Sequence, residues 1–124
     1  MCIRDRFTIL VADRNPHVRK FLKRELTLEG FRVQVAENAT KALKRAYHTE
    51  PIDLIIIDPD FFDGDKDALI KQLHNRIPIL PVVIHSLQSD DDPYPADSRQ
   101  IVFIEKREDS IEHLKKIANE IFQK

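Results

Sequence analysis

The feature that most narrows the fold is a rhythm. Short runs of β-branched and aliphatic residues alternate with segments whose apolar residues recur at helical spacing. Five runs stand out: Phe7–Ala12 (FTILVA), Phe31–Ala36 (FRVQVA), Ile52–Ile57 (IDLIII), Ile79–Ile84 (ILPVVI) and Ile101–Ile104 (IVFI). Three are nearly continuous in apolar residues, as strands covered on both faces are. The second alternates, with Phe31, Val33 and Val35 on one side, as an outer strand with one wetter face would. The chain of 124 residues, 42% hydrophobic, is the size of one domain and too short for two.

Helical signals fill the gaps. Asn15-Pro16 is a helix start, a capping side chain followed by proline at the first helical position. Val18, Phe21, Leu22 and Leu26 then form a stripe, and Gly30 is placed to stop the helix. Ala39, Ala42, Leu43, Ala46 and Tyr47 form a second stripe, and Ala68, Leu69 and Leu73 a shorter third. Asp109 with Glu112 resembles a capping box, and Ile111, Leu114, Ile117 and Ile121 continue one face. The stretch Leu87–Gln100 (LQSDDDPYPADSRQ) breaks the rhythm with two prolines and four aspartates, so a helix there is expected to be short or irregular. The alternation predicts an α/β domain with a parallel sheet, right-handed crossovers and helices on both faces. For five strands the common order is 2-1-3-4-5. Met1–Arg6 (MCIRDR) has no long apolar run and is expected to be a loose leader before a domain over 7–124.

Composition removes several function classes. The chain carries 20 Lys+Arg against 21 Asp+Glu, a net charge of −1, which gives no case for nucleic-acid binding by this domain itself. At 33% charged, with apolar stretches of about six residues where roughly 20 are needed, it is not a membrane-spanning sequence. One cysteine, Cys2, excludes an intramolecular disulfide and a cysteine-based zinc site, and a reducing, cytoplasmic setting is expected.

In open α/β sheets, ligands bind beyond the carboxyl ends of the strands, where the strand order reverses. In a 2-1-3-4-5 sheet that point lies between strands one and three. The first run leads into Asp13 and Arg14, and the third into Asp58, Pro59 and Asp60. The fourth ends in His85 and Ser86, and the fifth in Glu105 and Lys106. Carboxylates in the middle, a hydroxyl beside them and an ammonium beyond suit phosphoryl transfer onto a carboxylate. An ionised aspartate attacks phosphorus, and cationic and hydroxyl groups stabilise the charge spread over the transferred oxygens. A hard divalent ion held by carboxylates can bridge acceptor and phosphoryl oxygens. Asp58, central and directly after a buried run, is the natural acceptor, with Ser86 and Lys106 as partners of its phosphoryl oxygens.

On these residues the chain resembles the receiver domains of two-component response regulators, over about Thr8 to Gln123. ILVADRNPHVRKFLKRELTLEGFRVQVAENATKAL looks like that family's opening strand, first helix and second strand. PIDLIIID resembles the run into the phosphoacceptor, PVVIHS the fourth-strand motif ending in Ser or Thr, and VFIEK the motif ending in lysine. The resemblance implies a flavodoxin-like (βα)5 fold and a part in phosphorelay signal transduction. Asp58 would accept a phosphoryl group from a phosphohistidine on a sensor histidine kinase or histidine phosphotransfer protein. It also implies Mg2+ held by Asp13, Asp58 and Asp60, and a switch aromatic at Phe103. An output domain or effector protein and a homodimer are the further partners, and the domain is a signalling module, not an enzyme.

The departures are specific. The family's two adjacent acids after the first strand are here Asp13 and Arg14, and the second acid is the one that touches the metal. The Met-Pro after the acceptor is missing, and Arg107 replaces the proline after the lysine. Arg14 has two readings: it turns to solvent, leaving a weakened Mg2+ site, or it sits in the metal slot and pairs with Asp58. Two unit charges about 4 Å apart are worth roughly 4 kcal/mol at an effective dielectric of about 20, before desolvation. The retained Asp58, Ser86 and Lys106 favour weakened over abolished phosphorylation. The alternative is a pseudo-receiver, a protein-interaction module working without phosphate. A small phosphatase using Asp58-Pro59-Asp60 is a third reading, but it expects a larger chain with a cap domain. A flavodoxin-like cofactor binder is disfavoured, since no Gly- or Ser/Thr-rich phosphate loop follows the first run.

Plainer roles compete for individual residues. Asp13 could be a turn residue, and Asp60 could be turn chemistry with Pro59. Asp63, Gly64 and Asp65 turn the chain and cap the next helix. The five histidines have no ligand spacing, and His85 reads as a packed strand histidine beside Ser86.

Overall fold

The computed structural model describes residues 7–47, 51–58, 66–75, 80–86 and 101–122. The expected leader 1–6, the turn around Asp60, Asp63, Gly64 and Asp65, and the Asp/Pro-rich stretch 87–100 lie outside the described residues.

Strands β1 (Thr8–Ala12), β2 (Arg32–Ala36), β3 (Leu54–Ile57), β4 (Val82–Ser86) and β5 (Ile101–Glu105) form one parallel sheet in the order 2-1-3-4-5. Helices α1 (Pro16–Leu28), α2 (Ala39–Ala46) and α3 (Lys66–His74) lie in the connections between strands, α4 (Ser110–Phe122) follows β5, and together they cover both faces. Alternation along the strands divides the core into two layers. Leu10, Ala12, Ile55, Ile57, Val82 and Ile84 pack with Ala39, Ala42 and Ala46 of α2 and Leu69, Ile70 and Leu73 of α3. Ile9, Val11, Leu54, Ile56, Val83 and Ile104 pack with Leu22 and Leu26 of α1 and Ile111, Leu114 and Ala118 of α4. The rings of Phe7, Phe31 and Phe122, with centroids 5.5 to 6.3 Å apart, close the second layer.

Local signals act as expected at the first helix. The Asn15 side chain accepts the His17 and Val18 N–H groups with Pro16 in the first turn, and Gly30 follows the end with φ 105°.

Three expectations shift. The fourth strand starts at Val82, later than the head of its apolar run, and ends on His85 and Ser86 as expected. Pro81 has no N–H to donate, yet its carbonyl still accepts from Ile55. In α3 the buried face is Leu69, Ile70 and Leu73, with Ala68 exposed, because depth in the layer favours the larger Ile. At α4 the Glu112 N–H donates to the Asp109 backbone carbonyl at 3.2 Å, so the turn closes through the main chain where a capping box was expected. Among the described residues no helix is long and apolar enough to cross a membrane.

Candidate functional site

Strand register decides which residues meet. Ala12 of β1 is level with Ile57 of β3, so the residues that follow, Asp13 and Asp58, leave the sheet side by side. The Asp58 N–H donates to the Ala12 carbonyl at 2.9 Å and the Asp13 N–H to the Ala36 carbonyl at 3.1 Å, which fixes both main chains at the rim. β4 runs two residues past the Ile57–Ile84 pair, and Ser86 is level with Glu105 of β5. The Lys106 N–H donates to the Ser86 carbonyl at 2.8 Å. Lys106 thus starts two strand spacings from β3, about 10 Å away, a span that suits the longest aliphatic stem carrying a cation.

The stem crosses that gap. Lys106 Nζ lies 2.5 Å from Asp58 Oδ2 and 2.8 Å from Asp13 Oδ2. The side chains of Asp13, Asp58 and Lys106 keep 3%, 10% and 14% of their exposure, so the ion pairs are poorly screened and Asp58 retains a small opening to solvent. Burial pushes the Lys106 ammonium toward losing its proton, but hydrogen bonds and attraction from Asp13 and Asp58 outweigh it, and its pKa lies above the ordinary value. Asp13 uses its two carboxylate oxygens differently. Its Oδ1 accepts the Asn15 N–H at 2.9 Å, a turn contact, while its Oδ2 holds Lys106. The Asp13 carbonyl takes a 2.7 Å hydrogen bond from Arg19 Nη1, an anchor for this loop that the sequence did not signal.

Of the expected site residues, Asp13, Asp58 and Lys106 are in contact, and Ser86 is buried at the adjoining strand end. Phe103 packs partly buried against the α2–α3 layer. Asp60 lies outside the described residues. Arg14 is exposed, and among the described residues no ion pair joins it to Asp58, so the cation against Asp58 is Lys106. Among the described residues, two carboxylates against one ammonium leave a formal charge of −1, an oxygen donor set that fits a hard divalent ion. No cluster of three or more His, Cys, Asp or Glu able to hold a metal occurs among the described residues, so a third protein donor would come from outside them.

His85 and Ser110 form a second polar group beside the first. His85 Nε2 lies 2.9 Å from Ser110 Oγ, and that hydroxyl donates to the Arg107 carbonyl at 2.8 Å. Burial first and the positive Lys106 second, against an opposing pull from Asp13, together lower the His85 pKa from 6.5 to about 4. His85 is the packed strand histidine expected, but nothing in the sequence pointed to its partner.

Comparison with known proteins agrees with this geometry. The response regulator receiver domain family matches residues 9–118. The chain is 33% identical over 84 residues to the DNA-binding transcriptional regulator NtrC of Proteus hauseri, spanning 68% of this chain and 18% of that protein. It is 32% identical over 83 residues to the KDP operon transcriptional regulatory protein KdpE of Escherichia coli, spanning 67% of this chain and 36% of that one. The chain therefore covers only a minor part of these relatives' length. A two-component response regulator from Clostridium difficile superposes with a TM-score of 0.82 at 22% identity, over 95% of this chain and 97% of that one. The response regulator TrrA of Thermotoga maritima, in complex with Mg2+–BeF, superposes with a TM-score of 0.71 at 25% identity, over 90% of this chain and 98% of that one. With a buried aspartate pair clasping a lysine at the switch point of a 2-1-3-4-5 sheet and a family match over most of its length, this chain belongs to the receiver domains of response regulators.

Proposed function

We propose that this receiver domain accepts a phosphoryl group on Asp58 from a phosphohistidine of a sensor histidine kinase or histidine phosphotransfer protein. The observation that carries the reading is the Lys106 ammonium held against both Asp58 and Asp13 at the mouth between β1 and β3. In the transfer, an Asp58 oxygen attacks phosphorus while the P–N bond breaks. Its electron pair returns to the donor imidazole, which is protonated as it leaves, and an acyl phosphate remains on Asp58. Lys106 holds the acceptor carboxylate beforehand and pairs with a phosphoryl oxygen afterwards, and Ser86 donates to another.

Asp13, Asp58 and Asp60 are the residues that would hold Mg2+. That ion, when bound, supplies charge neutralisation at the phosphoryl oxygens. Arg14, turned to solvent where the family has a second acid, leaves this site one carboxylate short, and the Mg2+ requirement is correspondingly weakened. The added charge is read out through Ser86 and Phe103 at the β4–β5 face, by an output domain or effector protein, with homodimerisation as a further route. The setting is cytoplasmic, where kinase phosphohistidines are met.

The test is incubation with Mg2+ and acetyl phosphate or phosphoramidate followed by intact mass measurement. One phosphoryl mass is expected on the parent and none on Asp58→Asn. A parent that gains no mass removes the reading.

A further inference from the structure

His85 is an expensive choice for its position. It is 4% exposed at the second-last residue of β4, and among the described residues its Nδ1 has no hydrogen-bond partner. A leucine or valine would fill the space without stranding a buried nitrogen. What the imidazole adds is one bond. The Ser110 hydroxyl proton is committed to the Arg107 carbonyl, so Ser110 Oγ accepts, and the His85 proton is assigned to Nε2.

That bond joins two elements that otherwise meet through apolar contacts. Ser110 is buried in the first turn of α4, and both its N–H and its hydroxyl go to the Arg107 carbonyl, at 3.2 and 2.8 Å. The segment 106–109 is therefore pinned at two points. At one end the Lys106 N–H holds the Ser86 carbonyl. At the other, Arg107 is held by Ser110, which is held by His85 one residue before Ser86. Both pins return to the end of β4. The proline after the lysine, which would stiffen this turn through its fixed φ, is absent here: the residue is Arg107.

We infer that His85 is a positioning residue: through Ser110 it fixes the turn that starts at Lys106, and so holds the ammonium over Asp13 and Asp58. Resting on the reading of Asp58 as phosphoacceptor, the inference makes His85 act through Lys106 and touch no reacting atom.

The experiment is a double-mutant cycle on the rate of phosphorylation by phosphoramidate, with backbone hydrogen exchange measured on the same proteins. His85→Leu and Ser110→Ala are each expected to slow phosphorylation about five- to tenfold, the scale of one lost buried hydrogen bond. His85→Gln, whose amide can reach Ser110, is expected to stay within about twofold of the parent. In a Lys106→Ala background His85→Leu is expected to add nothing, whereas a purely structural role would slow both backgrounds alike. Exchange is expected to accelerate about tenfold or more at the Lys106 and Ser110 amides and to change little in β1 and β3. Additive effects, rates within twofold of the parent, or exchange that is unchanged or faster everywhere would overturn the inference. Should His85→Leu not fold, Ser110→Ala carries the same comparisons. If the parent itself takes up no phosphoryl group, the Asp58 reading fails, and the exchange pattern alone decides for or against His85.

Discussion

At the residue scale, the site is a charge balance held in a small space. Two carboxylates share one ammonium, with all three side chains largely withdrawn from water. Lys106→Ala removes the ammonium that Asp13 and Asp58 share, and is expected to destabilise the domain by about 1–3 kcal/mol in urea unfolding at neutral pH. His85 gives a pH dependence. Its folded pKa of about 4 lies below the unfolded 6.5, so the unfolded state binds more protons in that window. The stabilisation is complete above 6.5 and is lost as pH falls toward 4. About 2 kcal/mol should disappear between neutral pH and pH 5, a slope that His85→Leu flattens in urea titrations at both pH values. Arg14→Asp restores an acid beside Asp13 and is expected to tighten Mg2+ binding about tenfold by calorimetry. An unchanged affinity would remove the short-site explanation. The placement of Asp58, Ser86 and Lys106 at adjoining strand ends was legible because each lies just beyond a recognisable apolar run. The His85–Ser110 bond was not, since a serine in a first helical turn has many uses and its partner lies 25 positions away.

At the element scale, the best-read parts were those with a local physical cause. Asn15, Pro16 and Gly30 frame α1 because a cap, a fixed φ and a positive φ each work within a few residues. Gly30→Ala forces a side chain into φ 105° and is expected to cost about 1–2 kcal/mol in urea unfolding, with the m-value unchanged. The weaker readings had non-local causes. The apolar run from Ile79 did not reveal that the strand begins only at Val82, with the Pro81 carbonyl already accepting from Ile55. His85 and Ser86 are strand residues because β5 runs alongside them, in register with Ile104 and Glu105. α3 exposes Ala68 and buries Ile70 because the layer it covers, not the stripe taken alone, sets its rotation.

At the scale of the whole molecule, the sheet separates two layers that share only the strand backbones. Ile70→Val in the α2–α3 layer and Ile111→Val in the α1–α4 layer should each cost about 0.5–1.5 kcal/mol. Their double variant should match the sum within about 0.5 kcal/mol, since neither side chain belongs to the other's layer. Apolar periodicity by itself determined the class, the number of strands and the two-faced burial, because water sorts side chains at every position and leaves that record along the chain. Handedness and the preference for one strand order then limited the topology. Only the tertiary structure decided that Lys106, and not Arg14, is the cation on Asp58. Adjacency in sequence places Arg14 next to Asp13, but the rim turns it outward, while a lysine two strands away has the reach and the burial to stay. Contacts of that kind depend on register, stem length and shielding from water, none of which a linear order of residues contains.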